Sequence, residues 1–443
     1  MKSQVSHRSI LKLAVPAFLS QASFTVTGMI DLIMVGTISP AAIAAVGMGG
    51  TIYWNLIVLI GGPAIAMVYL CSQSYGAGNM ERFSERALAG LMLCGLSGLI
   101  FACFPFSLSR IFYHALGAEE AVITEGVRYF SFRLIGFPLH LLYTGLESAI
   151  KSTGDTKRPM VLKFIGHICN VSCNYVLIFG RLGFSPMGVR GAGIASLCAD
   201  VLTFALFTGA FLLTLKRERI PFSMRLKLTP ALLLIREGFK VSVQQFASSF
   251  SILVYTSVIA RLGAVSLAAN QIAVSVISMS FLPAFGLGQA SEILIGHAVG
   301  RGSTQKARMY GLTVELYCIA VMVVFGLVIG LFPQFIGGLY TRDQQVLSLL
   351  RPMLLVSAFL QIFDGIQIVF AASLRAVGDT TYLLVITVIG SWLIFIPTVL
   401  LAVFILQEGV VLAWGIRYLL MVFLSIMYFQ RFVRKDWTSV RAR

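Results

Sequence analysis

The 443-residue chain has few charged residues, and this scarcity excludes an ordinary soluble protein. Asp, Glu, Lys and Arg together make up 12% of the sequence, whereas a soluble globular domain contains about 25%. Hydrophobic residues make up 58%, and the mean hydropathy is +0.88. Water therefore cannot be the main solvent, and the fold must satisfy its backbone hydrogen bonds inside a lipid bilayer.

Motifs typical of several enzyme and binding classes are also missing. The seven cysteines form no CxxC pair and fall within apolar runs, so we interpret them as reduced packing residues. No GK[ST] signature follows the glycine-rich turns, which disfavours a phosphate-binding loop. Neither a Ser/His/Asp arrangement nor metal-ligand spacing is present, so we expect no enzyme activity, no cofactor and no firm metal site.

Long apolar runs occupy most of the chain and predict an all-α polytopic membrane protein. About 20 apolar residues in a helix cross the hydrocarbon core. Twelve such runs are predicted, at about 10–35, 42–70, 87–112, 122–149, 160–180, 191–215, 236–260, 266–297, 308–332, 346–374, 381–406 and 409–432. The first run lacks a small-residue cleavage site after it, so we expect it to stay as a membrane helix.

Glycines and short polar motifs repeat once along the chain. A shift of 224 residues aligns Gly76 with Gly300 and the GDT segment at 154–156 with that at 378–380. Two copies that face the same way predict a transporter with two pseudo-symmetric six-helix lobes. We expect an N-lobe at 1–215, a cytoplasmic inter-lobe linker at 216–235 and a C-lobe at 236–443.

Basic residues concentrate on one side of the predicted spans. If the N-terminus is cytoplasmic, most of the 34 Lys and Arg residues fall in inner segments, and a smaller group of arginines, including Arg133, falls toward the outside. This bias predicts cytoplasmic N- and C-termini. It also explains the net charge of +16 without nucleic-acid binding, because the basic residues are spread over short loops.

Acidic residues inside the spans are costly to insert and are therefore candidates for function. They are Asp31, Glu147, Asp200, Glu292, Glu315 and Asp364. Asp31 is the first candidate, since it lies about 22 Å beyond Pro16 in the first helix and has no basic residue within two turns. Such a carboxylate can bind a proton, a sodium ion or a cationic substrate, as an antiporter requires.

Polar residues of other spans are candidates to complete this site. Asn170 and Asn174 share one face of the fifth helix, and Ser196 in the sixth helix can add a hydroxyl. Packing between helices is the alternative interpretation of the two asparagines. Asp364 is the second-lobe candidate, and the substrate-cavity candidates are Gln21, Gln245, Ser248 and Gln361.

The remaining ionisable residues have competing interpretations. Glu147 and Glu292 lie near basic inner loops, so structural pairing explains them at least as well as coupling does. For Asp200 and Glu315, a helix–helix contact and a transport role are the two alternative interpretations. The histidines of the spans, which include His140, lie on separate helices and are interpreted as satisfied interior residues.

Several motifs together resemble those of MATE (multidrug and toxic compound extrusion) transporters over nearly the whole chain. They are the Pro16–Asp31 pair, MVGTISPAAIAA, SQSYGAGN, STGDT, NVSCNYVLIFG and GVRGAGIAS, with second-lobe counterparts such as GHAVGRGS and LRAVGDT. The resemblance implies a V-shaped antiporter of twelve helices. It also implies export of amphipathic, often cationic compounds against an inward flow of protons or sodium ions.

The resemblance implies roles for residues of the first lobe. Asp31 matches the family's protonation or cation-binding residue, and Pro16 matches the hinge that bends the first helix. Asn170, Asn174 and Ser196 match its polar partners. Many members have an aspartate where this chain has Asn174, so a two-carboxylate sodium site is weakened here.

A second branch of the family has a glutamate in the seventh helix beside a tenth-helix aspartate. The aspartate is present as Asp364, but the seventh-helix position is Ser248. We therefore expect a proton as the coupling ion, with sodium at Asp31 as the alternative.

The expected partners are small-molecule drugs, toxic organic cations and membrane lipid, with no nucleic acid. We expect a monomer in a bacterial cytoplasmic (inner) membrane. The alternatives are a flippase for lipid-linked precursors, for which extra helices and a cationic cavity are expected, and an intramembrane enzyme, which needs clustered catalytic groups. A receptor or scaffold needs no internal duplication.

Overall fold

A computed structural model describes residues 6–221, 227–435 and 437. Within these residues every regular element is helical, which confirms the predicted all-α class. The helices are α1 (His7–Gly36), α2 (Pro40–Ile60), α3 (Gly62–Gly76), α4 (Met80–Ala102), α5 (Pro105–Ala115), α6 (Glu120–Ser152), α7 (Lys157–Phe179), α8 (Gly188–Arg217), α9 (Leu228–Ala260), α10 (Ala264–Gly300), α11 (Thr304–Leu331), α12 (Pro333–Gly338), α13 (Gln344–Ala376), α14 (Thr380–Val388), α15 (Ile396–Leu400) and α16 (Val410–Arg434). The π-helical stretch Ile389–Phe395 joins α14 to α15, and a second stretch, Leu401–Ile405, continues from the end of α15.

Eleven helices in the described part of the chain are long and apolar enough to cross a membrane. The chain is therefore an integral membrane protein. The predicted run at 122–149 falls in α6, which is 33 residues long but contains Arg133, Glu147 and Lys151 among other charged residues. Its length suffices to span the hydrocarbon, so α6 corresponds to the remaining predicted span.

Two predicted runs are divided by proline. The run at 42–70 is two helices, because α2 ends at Ile60 and α3 begins at Gly62 with Pro63 in its first turn. The run at 87–112 is likewise divided between α4 and α5, and Pro105 opens α5. Proline has no N–H and cannot continue the hydrogen-bond ladder of a preceding helix, so it suits a helix start.

The chain forms two compact units whose boundaries fall inside α1 and α9. One unit comprises Leu19–Ser242, and the other comprises the residues up to Phe18 together with those from Val243 onward. The first parts of α1 and α9 thus each pack with the opposite half of the sequence. The boundaries after Phe18 and Ser242 are related by the same 224-residue shift as the sequence repeat. The lobe boundaries at 215 and 236 stay a prediction.

In the unit formed by Leu19–Ser242, α3 and the first part of α9 approach closely through two glycines. A Cβ at Gly238 would lie 2.7 Å from the Pro63 nitrogen, so a larger residue would force the backbones apart. The Gly62 N–H donates a hydrogen bond to Ser242 Oγ at 3.2 Å. The absence of side chains at both glycines therefore permits this close helix contact.

An equivalent contact occurs in the other unit, between α10 and the first part of α1. A Cβ at Gly286 would lie 2.6 Å from the Ala14 carbonyl oxygen. The 224-residue shift relates Gly62 to Gly286 and Ala14 to Gly238. The duplication seen in the sequence is therefore repeated in the packing, since the first helix of each repeat packs against the second span of the other.

Candidate functional site

Four of the candidate residues from the sequence lie together inside the unit formed by Leu19–Ser242. Asn174 Nδ2 donates hydrogen bonds to Asp31 Oδ1 at 2.6 Å and to Asn170 Oδ1 at 3.2 Å. Asn170 Nδ2 donates to Ser196 Oγ at 3.3 Å. Asp31 is half-buried and the other three residues are buried. Helices α1, α7 and α8 thus contribute to one continuous polar chain that ends on the Asp31 carboxylate.

The local sequence explains how α7 and α8 present these side chains together. Asn170 and Asn174 are one turn apart, so they project from the same face of α7. A Cβ at Gly191 would lie 2.8 Å from the Leu177 carbonyl oxygen, so this glycine lets α8 begin against the backbone of α7. That close approach places Ser196 beside Asn170.

The Asp31 carboxylate is stabilised by an amide and not by a direct ion pair. Within the described ranges Asp31 belongs to no ion pair, and Asn174 is its hydrogen-bond partner. Arg133 of α6 acts on Asp31 electrostatically without a direct contact in the described residues. The Asn174 Oδ1 atom is buried and has no hydrogen-bond partner in the described part of the chain. An oxygen of this kind can accept a hydrogen bond from a protonated carboxyl group or contact a bound cation.

Arg133, which the charge distribution places toward the outer side, has a side chain that is mostly buried. The Arg133 side chain is 16% exposed and lies inside the unit Leu19–Ser242, with Nη1 3.9 Å from Asp200 Oδ2. The guanidinium carbon also lies 3.9 Å from the centroid of the Tyr53 ring, a cation–π contact. The available signal was its position inside a predicted span, because a charge at that depth usually marks a functional or paired site.

Glu147 and Glu292 form ion pairs. The Glu147 carboxylate lies 2.7 Å from Lys151 Nζ and 2.8 Å from Lys163 Nζ. Glu292 lies 3.6 Å from Arg375. These contacts favour the structural interpretation of both glutamates.

The unit that starts again at Val243 contains two buried acidic residues that were candidates from the sequence. Asp364 of α13 is 6% exposed and interacts electrostatically with Arg417 of α16. Glu315 of α11 is 5% exposed, and neither of its carboxylate oxygens has a hydrogen-bond partner in the described part of the chain. Gln361 donates to the Met322 carbonyl oxygen at 3.3 Å.

The other candidates are placed on α1 and α9. Pro16 lies in the part of α1 that packs with the unit starting at Val243, whereas Gln21 lies in the unit Leu19–Ser242. Gln245 and Ser248 are half-buried in α9. No hydrogen bond joins Ser248 to Asp364 in the ranges that the structure describes.

A family model described as MatE matches the chain twice, at residues 16–176 and 241–401. The chain belongs to the MATE family. Its two matches follow the sequence duplication, and they cover most of its length. This MATE family member is accordingly a membrane transporter and not an enzyme.

The relatives of this MATE transporter are named for multidrug resistance. The probable multidrug resistance protein NorM of Thermotoga maritima is 27% identical over 422 residues, which cover 92% of this chain and 88% of that protein. The multidrug resistance protein NorM of Vibrio cholerae is 29% identical over 397 residues, which cover 88% and 86%.

Solved structures share the fold. The Vibrio cholerae MATE transporter VcmN in the bent form superposes with a TM-score of 0.86 at 18% sequence identity, and the similarity covers 96% of each chain. At this level of identity, the likeness establishes the helical fold of the present MATE transporter.

Proposed function

We propose that this protein exports amphipathic and cationic drugs in exchange for protons, and that Asp31 binds the proton. The observation that carries the proposal is the setting of Asp31, a carboxylate inside a membrane helix that is bound by the Asn174 amide and has no ion-pair partner in the described residues. A carboxylate in this setting gains by binding a proton or a cationic ligand. The names of the relatives support drugs as the substrate class.

The donor set favours a proton over a sodium ion. A cation that sheds its hydration shell needs several oxygen ligands in its place. Here Asn174 presents its N–H group to Asp31, and Asn170 presents its N–H group to Ser196. Among the amide oxygens of these two residues, Asn170 Oδ1 already accepts a hydrogen bond and only Asn174 Oδ1 is without a partner in the described residues, whereas a proton needs only the single carboxylate. Sodium at Asp31 is the alternative.

Coupling requires that the charge of Asp31 changes the conformation of α1. A proton on Asp31 removes the negative charge that attracts the Asn174 N–H, so the contact between α1 and α7 changes in strength. Pro16 removes one backbone hydrogen bond within α1 and provides a position where the helix bends at low cost. We propose that protonation from the outside bends α1 at Pro16 and releases the drug.

The setting in the cell follows from the charge distribution and the relatives. We propose that the transporter acts as a monomer in a bacterial cytoplasmic membrane, with both termini in the cytoplasm. Asp364 is proposed as the second-lobe cation or proton site, and Gln21, Gln245, Ser248 and Gln361 are proposed to line the substrate path.

The test is ethidium transport by the purified protein in proteoliposomes with a pH gradient and a sodium gradient imposed separately. We expect a pH gradient alone to drive ethidium accumulation, and a sodium gradient at equal pH on both sides to drive none. Transport driven by sodium alone would contradict proton coupling. Failure of both gradients, with flipping of a lipid-linked precursor in the same vesicles, would favour the flippase alternative.

A further inference from the structure

A second polar cluster lies on α6 next to the Asp31 site. Arg133, Gly136 and His140 follow one another at intervals of three and four residues, so they lie on one face of α6. Asp200 of α8 packs against Gly136, the middle residue of these three. A Cβ at Gly136 would lie 2.9 Å from Asp200 Oδ2, so glycine provides the space for this carboxylate between the guanidinium and the imidazole.

The contacts of Asp200 with its two neighbours are loose. Arg133 Nη1 lies 3.9 Å from Asp200 Oδ2, and His140 Nδ1 lies 3.6 Å from Asp200 Oδ1. The buried Arg133 Nε and Asp200 Oδ2 atoms have no hydrogen-bond partner in the described part of the chain. Charged groups buried in a protein normally satisfy each other with short hydrogen bonds, at about 2.7–2.9 Å. Arg133 therefore keeps its Nε–H group unused while it remains close to one carboxylate.

Asp31 is a second carboxylate on which the charge of Arg133 acts, although the two residues form no ion pair in the described ranges. Arg133 is the leading attractive charge for Asp31, and it also acts on Asp200 and on the surrounding tyrosines. The ionisable groups that face this cluster are Asp31 from α1, Tyr53 from α2, Tyr129, His140, Tyr143 and Glu147 from α6, Lys163 and His167 from α7, and Asp200 from α8. The charge of one guanidinium thus acts on two carboxylates in a low-dielectric interior, where such interactions are strong.

His140 offers Asp200 an alternative partner. Its Nδ1 atom lies 2.7 Å from the Tyr143 hydroxyl as well as 3.6 Å from Asp200. In the tautomer that carries its proton on Nδ1, the neutral imidazole can donate a hydrogen bond to Asp200 whenever the guanidinium interacts with Asp31, and no further proton is taken up.

We propose that Arg133 is a positioning residue for coupling, the counter-ion that Asp31 and Asp200 share. When Asp31 carries its proton, Arg133 pairs with Asp200. When Asp31 loses its proton, Arg133 shifts toward the new carboxylate, and His140 becomes the main partner of Asp200. This inference rests on the proposed role of Asp31 as the proton-binding group.

The test compares two substitutions whose effects have opposite signs. Equilibrium binding of ethidium to the purified transporter is measured across a pH series, and the midpoint of the pH dependence is determined. Arg133→Gln removes the cation that favours the ionised Asp31, so the midpoint is expected to rise by about one pH unit or more. Asp200→Asn removes the competing carboxylate, so the midpoint is expected to fall by a comparable amount.

Two further variants separate this role from a structural one. Arg128 lies on the same helix and its side chain is 59% exposed. Arg128→Gln should therefore leave the midpoint unchanged. The double substitution of Arg133→Gln and Asp200→Asn removes one charge of each sign and should return the midpoint toward that of the unsubstituted protein. It also avoids an unpaired buried charge, so it reports on coupling if either single variant folds poorly.

The outcomes distinguish this inference from the proposed function. Midpoints that shift in the same direction, or that do not shift, in the Arg133 and Asp200 variants would overturn the shared counter-ion. Asp31→Asn is expected to remove the titration altogether. If that variant keeps the original pH dependence, the proposed role of Asp31 fails first. If it loses the pH dependence while the opposite shifts are absent, the shared counter-ion alone fails.

Discussion

Asp31→Asn is expected to abolish ethidium accumulation driven by a pH gradient, with activity reduced to that of protein-free liposomes. The asparagine side chain has nearly the same shape as aspartate and can still accept a hydrogen bond from Asn174. It cannot bind or release a proton at neutral pH. The coupling is therefore lost while the packing of α1 against α7 is retained. The measurement is initial ethidium uptake into proteoliposomes at a fixed protein content.

The control for this substitution is Glu120→Gln, which also neutralises one acid but at an exposed position, where Glu120 pairs with Arg110 on the surface. It should transport at the original rate. The unfolding midpoint of Asp31→Asn in detergent should match that of the unsubstituted protein. Undiminished ethidium accumulation by a correctly folded Asp31→Asn variant would contradict the role assigned to this residue.

Glu147→Gln is expected to cause the largest loss of stability, about 3 kcal/mol in the free energy of unfolding. The Glu147 carboxylate compensates both Lys151 and Lys163 at distances of 2.7 and 2.8 Å, and the Lys151 side chain is only 9% exposed. Removing the carboxylate leaves two ammonium groups close together without their common counter-ion. Titration with SDS in mixed micelles measures the change in the free energy of unfolding.

Glu125→Gln provides the matched comparison on the same helix. Glu125 pairs with Arg128, whose side chain is 59% exposed, so its loss should cost less than about 1 kcal/mol. Transport per folded molecule should be retained in both variants, since Glu147 is assigned a structural role. A Glu147→Gln protein with full stability and no transport would show that this glutamate takes part in coupling instead.

The sequence predicted the Asp31 cluster because two strong rules applied there. A lone carboxylate is costly inside a membrane span, and the spacing of Asn170 and Asn174 defines a helix face whatever the tertiary packing. The 224-residue shift predicted the duplication for a similar reason, because glycines at turns and close contacts are required by the backbone geometry. Each of these features depends on the residue types at particular positions, and a single sequence shows those directly.

Arg133 was not among the candidate site residues because its contacts depend on a neighbour in another helix. It lies 13 residues after the first residue of α6, about 20 Å along the axis, which is too deep for an interfacial charge. Its partner Asp200 is 67 residues later in the chain, and the gap that admits this carboxylate is provided by Gly136. Apolar periodicity identifies a buried face but does not identify which helix covers it.

The packing of α1 and α9 with the opposite halves of the sequence was also outside what a hydropathy pattern can predict. Residues on either side of the Phe18 and Ser242 boundaries are similarly apolar, so composition gives no signal. The relevant residues are Gly62, Gly238 and Gly286, whose missing side chains permit close backbone contacts. Their role becomes visible only once the contacting helix is known.

Proton release on drug binding is the most direct measurement of the role of Asp31. The purified transporter, in weakly buffered detergent solution about one pH unit below the midpoint of its pH-dependent ethidium binding, is mixed with ethidium while a pH indicator records released protons. We expect about one proton per bound ethidium from the unsubstituted protein, and none from Asp31→Asn. Equal proton release from the two proteins, or ethidium binding by the unsubstituted protein without any release, would contradict proton–drug exchange at Asp31.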